Sequence, residues 1–124
     1  MTSQDITKLI KSANAGDTKA QISLENFKKS VMTGDTKAQI LLGKAFYDCE
    51  GFERDYIEAA NWFRKAAEQG DASAQRHLGD MYRLGQGVER SYEQAAEWYL
   101  KAAEQGDAGA QYSFGVMYEC GEGV

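Results

Sequence analysis

Residues 61–75, NWFRKAAEQGDASAQ, return at 97–111 as EWYLKAAEQGDAGAQ, 36 positions later. A tract of this length recurring at a fixed offset marks one structural unit used twice, so its residues are read first for what stacked units require. Inside it, Gly70-Asp71 and Gly106-Asp107 each follow an Ala-, Glu- and Gln-rich run of helical character. Glycine suits the left-handed residue that ends a helix, and an Asp directly after it can accept backbone N–H bonds as the next N-cap. Each pair is therefore a tight corner between two helices.

Outward from this stretch, the corner Gly-Asp-x-x-Ala-Gln begins at Gly16, Gly34, Gly70 and Gly106, at spacings of 18, 36 and 36. The full units contain a second break, Gly85-Gln86-Gly87-Val88 in one and Cys49-Glu50-Gly51-Phe52 in the other. Each full unit is thus two helices. Asp55 with Glu58 and Ser91 with Gln94 have the spacing of a capping box and predict where the second helices start. The reading places seven helices, at 3–15, 18–33, 36–48, 55–69, 72–84, 91–105 and 108–120. Proline is absent, β-branched residues are sparse, and no stretch alternates as a strand does, so the fold class is all-α.

The first helix of each unit carries an apolar stripe at i, i+4 and i+8: Ala38, Leu42, Phe46; Ala74, Leu78, Tyr82; Ala110, Phe114, Tyr118. Gly43, Gly79 and Gly115 directly follow the middle stripe residue. A missing side chain there allows close helix approach despite about 1 kcal/mol of lost helix propensity. In the second helices, Ala59, Ala60, Trp62, Phe63, Ala66 and Ala67, and their counterparts 36 residues on, alternate bulky with small, as a surface packed on both sides requires.

In this order, these residues resemble the Sel-one-like repeat (SLR) family, a relative of tetratricopeptide repeats. The pattern is A-x-x-x-L-G-x-x-Y-x-x-G-x-G-V followed by A-A-x-W-Y-x-K-A-A-E-Q-G-D. Residues 74–109 follow it almost throughout; residues 38–73 depart at Cys49 and Phe52, where Gly85 and Val88 stand in the next unit; residues 110–124 follow its first half. The resemblance implies an α/α solenoid, a right-handed superhelix of antiparallel helix pairs with a concave groove, acting as a tetratricopeptide-like scaffold or adaptor for other proteins. A cysteine-rich branch of the family, associated with penicillin binding, has its cysteines near the positions of Ala67 and Ser73, and its activity is not carried over.

Residues 1–35 read as a degenerate N-terminal pair. Asn26 and Thr33 keep the register of Trp62 and Gln69, yet Ala20 and Gln21 already open a unit only 18 residues long. With its middle lost, one continuous helix replaces two, and with residues 3–15 it caps the stack through a polar outer face; a linker is the alternative. Residues 36–71 and 72–107 are full repeats, and 108–124 is a half repeat with the first helix and loop only. No second helix follows to cover Phe114, Gly115 and Tyr118. The expectation is a fragment of a longer repeat protein, the alternative an apolar face covered by another chain.

Composition narrows the function classes. With 124 residues and 43% apolar residues, the chain is long enough for one domain core. No run approaches the roughly 18 apolar residues of a membrane helix, and the first 16 residues lack the apolar centre of a signal peptide, so the expectation is a cytoplasmic protein without a membrane partner. An exported protein with its signal trimmed has the same character. A net charge of −5 argues against sequence-independent nucleic-acid binding. Charge is uneven: residues 1–47 hold seven Lys against four acids, and 48–124 hold seven Lys and Arg against fifteen.

The residues for chemistry are scarce. His77 is the single histidine, which leaves no metal cluster and reads as structural or solvated. Cys49 and Cys120, on the order of 20 Å apart if each helix layer adds about 8–10 Å, read as free thiols. Gly85-Gln86-Gly87 lacks the Gly-Lys-Ser/Thr ending of a phosphate loop and reads as a turn. Trp62 and Trp98 recur in register, which favours packing over ligand stacking. The expectation is a non-enzyme with no catalytic residue, cofactor or metal.

Recognition residues are sought where the units differ. If the first helices line the concave face, the outward positions are Lys37, Ile40, Lys44 and Tyr47; then Ser73, Arg76, Asp80 and Arg83; then Gly109, Tyr112, Val116 and Glu119. Each set lies at i, i+3, i+7 and i+10, one stripe of a helix. Lys37, Lys44, Arg76 and Arg83 form a basic strip flanked by Tyr47 and Tyr112, suited to an acidic peptide segment or a C-terminal carboxylate. A solvated charged face is the alternative. A protein- or peptide-binding scaffold leads; a self-assembly module, stacking head-to-tail or as a homo-oligomer through the open C-terminal helix, is second; an enzyme is third.

Overall fold

The computed structural model describes residues 3–31, 35–48 and 53–123. Among them the chain forms seven helices and no strand: α1 (Ser3–Asn14), α2 (Thr18–Val31), α3 (Thr36–Asp48), α4 (Glu53–Glu68), α5 (Ala72–Leu84), α6 (Tyr92–Glu104) and α7 (Ala108–Cys120). Gly34 and the break 49–52, including Cys49, lie outside the described residues, as does Val124. Every helix end falls within two residues of the sequence expectation.

The corners form as their chemistry requires. Asp17, Asp35, Asp71 and Asp107 each accept a backbone N–H three residues on, from Ala20, Ala38, Ala74 and Ala110, at 2.9–3.2 Å. Gly16, Gly70 and Gly106 adopt φ of 94–100°, where a Cβ would be strained. Ser91 caps α6 by accepting the Gln94 N–H at 3.2 Å. Asp55 does not cap α4, which already runs from Glu53. Its carboxylate is only 2% exposed and accepts a bond from Asn14 Nδ2 at 3.4 Å. It ties the second helix of the first unit back to α1, since a buried carboxylate is tolerated where it is paired.

Helices α3 and α4, and α5 and α6, pack as pairs; α4 against α5 and α6 against α7 join successive units; α1 lies against both α2 and α3. The core is built from Ile6 and Ile10 of α1, Leu42 of α3, Phe63 of α4, Leu78 of α5 and Tyr99 of α6, all with no exposed surface. Gly43 and Gly79 make the pairs close. A Cβ at Gly43 would lie 2.9 Å from Phe63 Cε1, and one at Gly79 would lie 2.8 Å from Tyr99 Cδ1. At Gly115 a Cβ would meet nothing within 4 Å. Phe114 is correspondingly half-buried and Tyr118 is 70% exposed.

The repeated glutamines tie unit to unit. Gln21, Gln39, Gln75 and Gln111 donate through Nε2 to the carbonyls of Ala13, Val31, Ala67 and Ala103, eight residues back across the corner, at 3.0–3.2 Å. Gln39 and Gln75 in turn accept from Gln69 and Gln105 at 2.7 and 2.9 Å. Buried polar groups must be hydrogen-bonded, and this relay satisfies both ends of a buried amide. The inter-helix loops dock as well: a Cβ at Gly87 would collide with the backbone at Tyr56, and one at Gly123 with the backbone at Tyr92.

Candidate functional site

Helices α3, α5 and α7 carry the stripe positions, and side chains link α3 to the loop after α5 and α5 to the start of α7. Tyr47 donates its hydroxyl to Gln86 Oε1 at 3.0 Å, and its ring stands 5.4 Å from that of Tyr56. Arg76 Nε lies 3.3 Å from Asp107 Oδ1, so the α5 guanidinium reaches the N-cap of α7. Gly109 has no side chain to obstruct it: a Cβ there would sit 2.8 Å from Arg76 Cδ.

The twelve stripe positions therefore differ in availability. Lys37 and Lys44 are exposed, as are Gly109, Tyr112, Val116 and Glu119; Ile40, Tyr47, Ser73, Arg76, Asp80 and Arg83 are half-buried. Tyr112, at 77% exposure, is the most open large apolar side chain on this face. Arg76 is held by Asp107, and Arg83 Nε donates to the Tyr99 hydroxyl at 3.3 Å. That hydroxyl in turn donates to Asp80 Oδ1 in a short bond. Burial first, and the bond to Asp80 second, push the Tyr99 phenol well above its ordinary value, so it remains a donor at neutral pH. The bond to Tyr99 raises the Arg83 pKa further.

This Asp80–Tyr99–Arg83 arrangement replaces Lys44, Phe63 and Tyr47 of the preceding unit, position for position. Tyr99, itself buried, thus positions two residues of the candidate face, which outward positions alone do not reveal. The signal lay in the one ring position of the repeated tract that gains a hydroxyl where its neighbours change to Asp and Arg. Beside it, a cavity of about 110 Å³ is lined by Arg83, Tyr112, Ser113, Val116, Met117 and Glu122. Its lining combines one guanidinium, one carboxylate, the hydroxyl-bearing Tyr112 and Ser113, and the apolar Val116 and Met117.

His77 lies beneath this face with its ring stacked on Phe63, centroids 4.8 Å apart and planes at 11°. Its Nδ1 is 2.7 Å from the Ser73 carbonyl. A carbonyl only accepts, so Nδ1 carries the proton. Burial holds the His77 pKa below 6.5, assisted by nearby Arg76 and Lys44 and opposed by the Ser73 carbonyl and Asp80. Among the described residues, no group of three or more His, Cys, Asp and Glu side chains is placed to hold a metal ion, and no helix is long and apolar enough to cross a membrane. Cys120 is an exposed free thiol.

Comparison with known proteins follows the same division into units. The Sel1 repeat pattern matches residues 36–71, 72–107 and 108–124. A Sel1 repeat protein from Oxalobacter formigenes superposes with a TM-score of 0.72 at 34% identity, covering 82% of this chain and 77% of that one. A protective antigen present in uropathogenic Escherichia coli strains, which displays an SLR fold, superposes with a TM-score of 0.73 at 35% identity over 96% of this chain. The present chain spans 29% of the length of that antigen. A search of curated proteins finds no match. On the strength of the repeat matches and the shared helical stack, the chain belongs to the Sel1 repeat family, α/α solenoids whose members act as protein-interaction scaffolds.

Proposed function

We propose that this chain is a non-catalytic scaffold that binds an acidic peptide or protein segment along the α3, α5 and α7 face, with residues 1–35 capping the stack at its other end. One observation carries the reading. On this face the residues that differ between units include four cations, Lys37, Lys44, Arg76 and Arg83, in a chain of net charge −5. Ile40, Tyr47, Asp80, Tyr112, Val116 and Glu119 complete the surface.

Magnitudes divide the roles of these groups. An exposed ion pair contributes about 0.2–1 kcal/mol, so Lys37 and Lys44 steer an acidic segment and set its orientation more than they hold it. Holding falls to groups that lose water on binding: the exposed ring of Tyr112, Val116, and the cavity beside Arg83. Because Arg83 is already positioned by Tyr99, little further ordering is required when a carboxylate approaches.

The test is a titration of a fluorescent Asp- and Glu-rich peptide into the wild type, Lys37→Glu/Lys44→Glu and Arg76→Glu/Arg83→Glu. The lysine pair is exposed, so its reversal leaves the fold intact. Each double reversal is expected to weaken binding about tenfold or more at low salt, with the difference shrinking at high salt. Equal binding by all three proteins would show that the acidic segment is not taken on this face.

The exposure of Tyr118 on α7 favours a second reading, a module that self-assembles head-to-tail or as a dimer through α7. It requires concentration-dependent oligomers in sedimentation, and a chain that stays monomeric throughout excludes it.

A further inference from the structure

Helix α2 keeps the register of α4: Lys28 and Lys29 stand 36 residues before Arg64 and Lys65, and Lys65 stands a further 36 before Lys101. The repeat therefore sets cations of one second helix beside the tryptophan and lysine of the next. Between α2 and α4, a cavity of about 330 Å³ is lined by Lys28 and Lys29 on one side and by Asn61, Trp62 and Lys65 on the other. The equivalent cleft between α4 and α6 is lined by Arg64, Trp98 and Lys101.

The two clefts differ in what they leave unpaired. In the second, Arg64 donates to the Tyr82 hydroxyl at 2.6 Å, Trp98 is half-buried, and the Lys101 ammonium stands 4.4 Å from its ring centroid. In the first, Lys28 is taken by Glu25 and Glu58, at 3.4 and 3.1 Å. Both carboxylates belong to the same lining, so three ammoniums face two acids there. Lys29 and Lys65 have no ion pair among the described residues. Trp62 is 4% exposed, and its indole N–H has no acceptor among the described residues. A buried donor without a partner is rare in a folded chain. Packing accounts for the ring of Trp62 but leaves its polar edge unexplained. Lys65 stands over that ring, its ammonium 6.0 Å from the centroid.

We propose that the cleft between α2 and α4 binds a phosphate monoester, carried by a small molecule or by a peptide side chain. The unpaired groups are donors: the Trp62 N–H and the Lys29 and Lys65 ammoniums, with the Asn61 amide beside them. One ligand with several acceptor oxygens can satisfy them together. A carboxylate is matched best by the planar fork of a guanidinium, and this lining contains none. Lysine ammoniums act as point charges, which suits a phosphate with close to two negative charges and three terminal oxygens. On binding, Lys65 swings from the ring to the phosphate and uncovers the indole edge, so that Trp62 donates to one oxygen while Lys29 approaches another from α2. The cleft shares no residue with the α3, α5 and α7 face and does not rest on the reading of that face.

The test follows the two indole N–H resonances of the full, isotope-labelled chain by NMR, with the Trp62 signal identified as the one that survives in Trp98→Phe. Inorganic phosphate and a short phosphoserine peptide are titrated at low ionic strength, against acetate and the same peptide with serine. The Trp62 resonance is expected to shift saturably with phosphate and to stay in place with acetate, while Trp98 remains unmoved. Saturation by inorganic phosphate supports a free phosphate compound as the ligand, and saturation by the phosphopeptide alone supports a phosphorylated segment. Lys29→Gln/Lys65→Gln removes two ammoniums without breaking an ion pair, so melting should be preserved while the affinity falls about tenfold. Absence of a saturable Trp62 shift with either phosphate probe overturns the proposal. So does an equal response to acetate or to the serine peptide, a shift confined to Trp98, or an unaltered affinity in the lysine variant.

Discussion

The Tyr99 ring on α6 occupies the space that a side chain at Gly79 of α5 would need, at 2.8 Å from the position of its Cβ. The ring has no exposed surface, and its hydroxyl is held between Asp80 and Arg83. It has no room to yield.

Replacing Gly79 with Ala gains about 1 kcal/mol of helix propensity but forces an overpacking cost of about 1–3 kcal/mol. The net expectation is destabilisation in urea unfolding. Gly115→Ala, facing open space, should stabilise by up to about 1 kcal/mol. Opposite signs at two equivalent positions are the outcome to look for. A shift of the same sign at both would mean that the Tyr99 ring does not determine the residue at Gly79.

Gln75 is 5% exposed and bonds in two directions, to the Ala67 carbonyl at 3.1 Å and from Gln105 at 2.9 Å. Gln75→Ala removes both bonds of a buried amide, although the Ala67 carbonyl keeps the Gly70 N–H, and at about 0.5–1.5 kcal/mol for each bond lost it should cost about 1–3 kcal/mol. Gln111→Ala removes one bond that water can replace and should cost well under about 1 kcal/mol. Chemical denaturation of the two variants distinguishes a relay that couples units from an incidental contact, for which the two losses would match.

His77 provides a dependence on pH. Burial lowers its pKa in the folded chain below the ordinary 6.5, so the unfolded chain binds the proton more readily. Stability from the neutral ring is therefore complete above about pH 6.5 and is lost as the pH falls from there through the lower folded value. His77→Phe retains a ring against Phe63 and cannot titrate. Melting temperatures compared from pH 7.5 down to 5.5 should move in favour of the variant as acid is added, whereas parallel curves would place the titration elsewhere.

Much of the fold was legible because it is written in short-range chemistry. The Gly-Asp corners, the Ser91 cap and the helix lengths depend on residues within a few positions of each other, and Gly43 and Gly79 stand at the stripe positions where close approach was expected. Asp55 shows the limit. Its spacing to Glu58 is that of a capping box, but a part-buried bond from Asn14, 41 residues away, claims its carboxylate. The candidate face was legible only as a set of outward positions. That Arg76 reaches Asp107 and Tyr47 reaches Gln86 involves side chains of different units, and nothing in a 36-residue period states how far each extends.

By itself, the sequence determined the two-helix unit, its period, its corners and the small residues at which helices meet, because stacking imposes the same local demands each time. Only the tertiary structure decided which charges on the α3, α5 and α7 face are already engaged, how the glutamines link one unit to the next, and that Gly115 faces open space while its equivalents hold rings. Those outcomes rest on distances between helices far apart in the chain, and a polar or aromatic side chain is committed or available according to what stands within its reach.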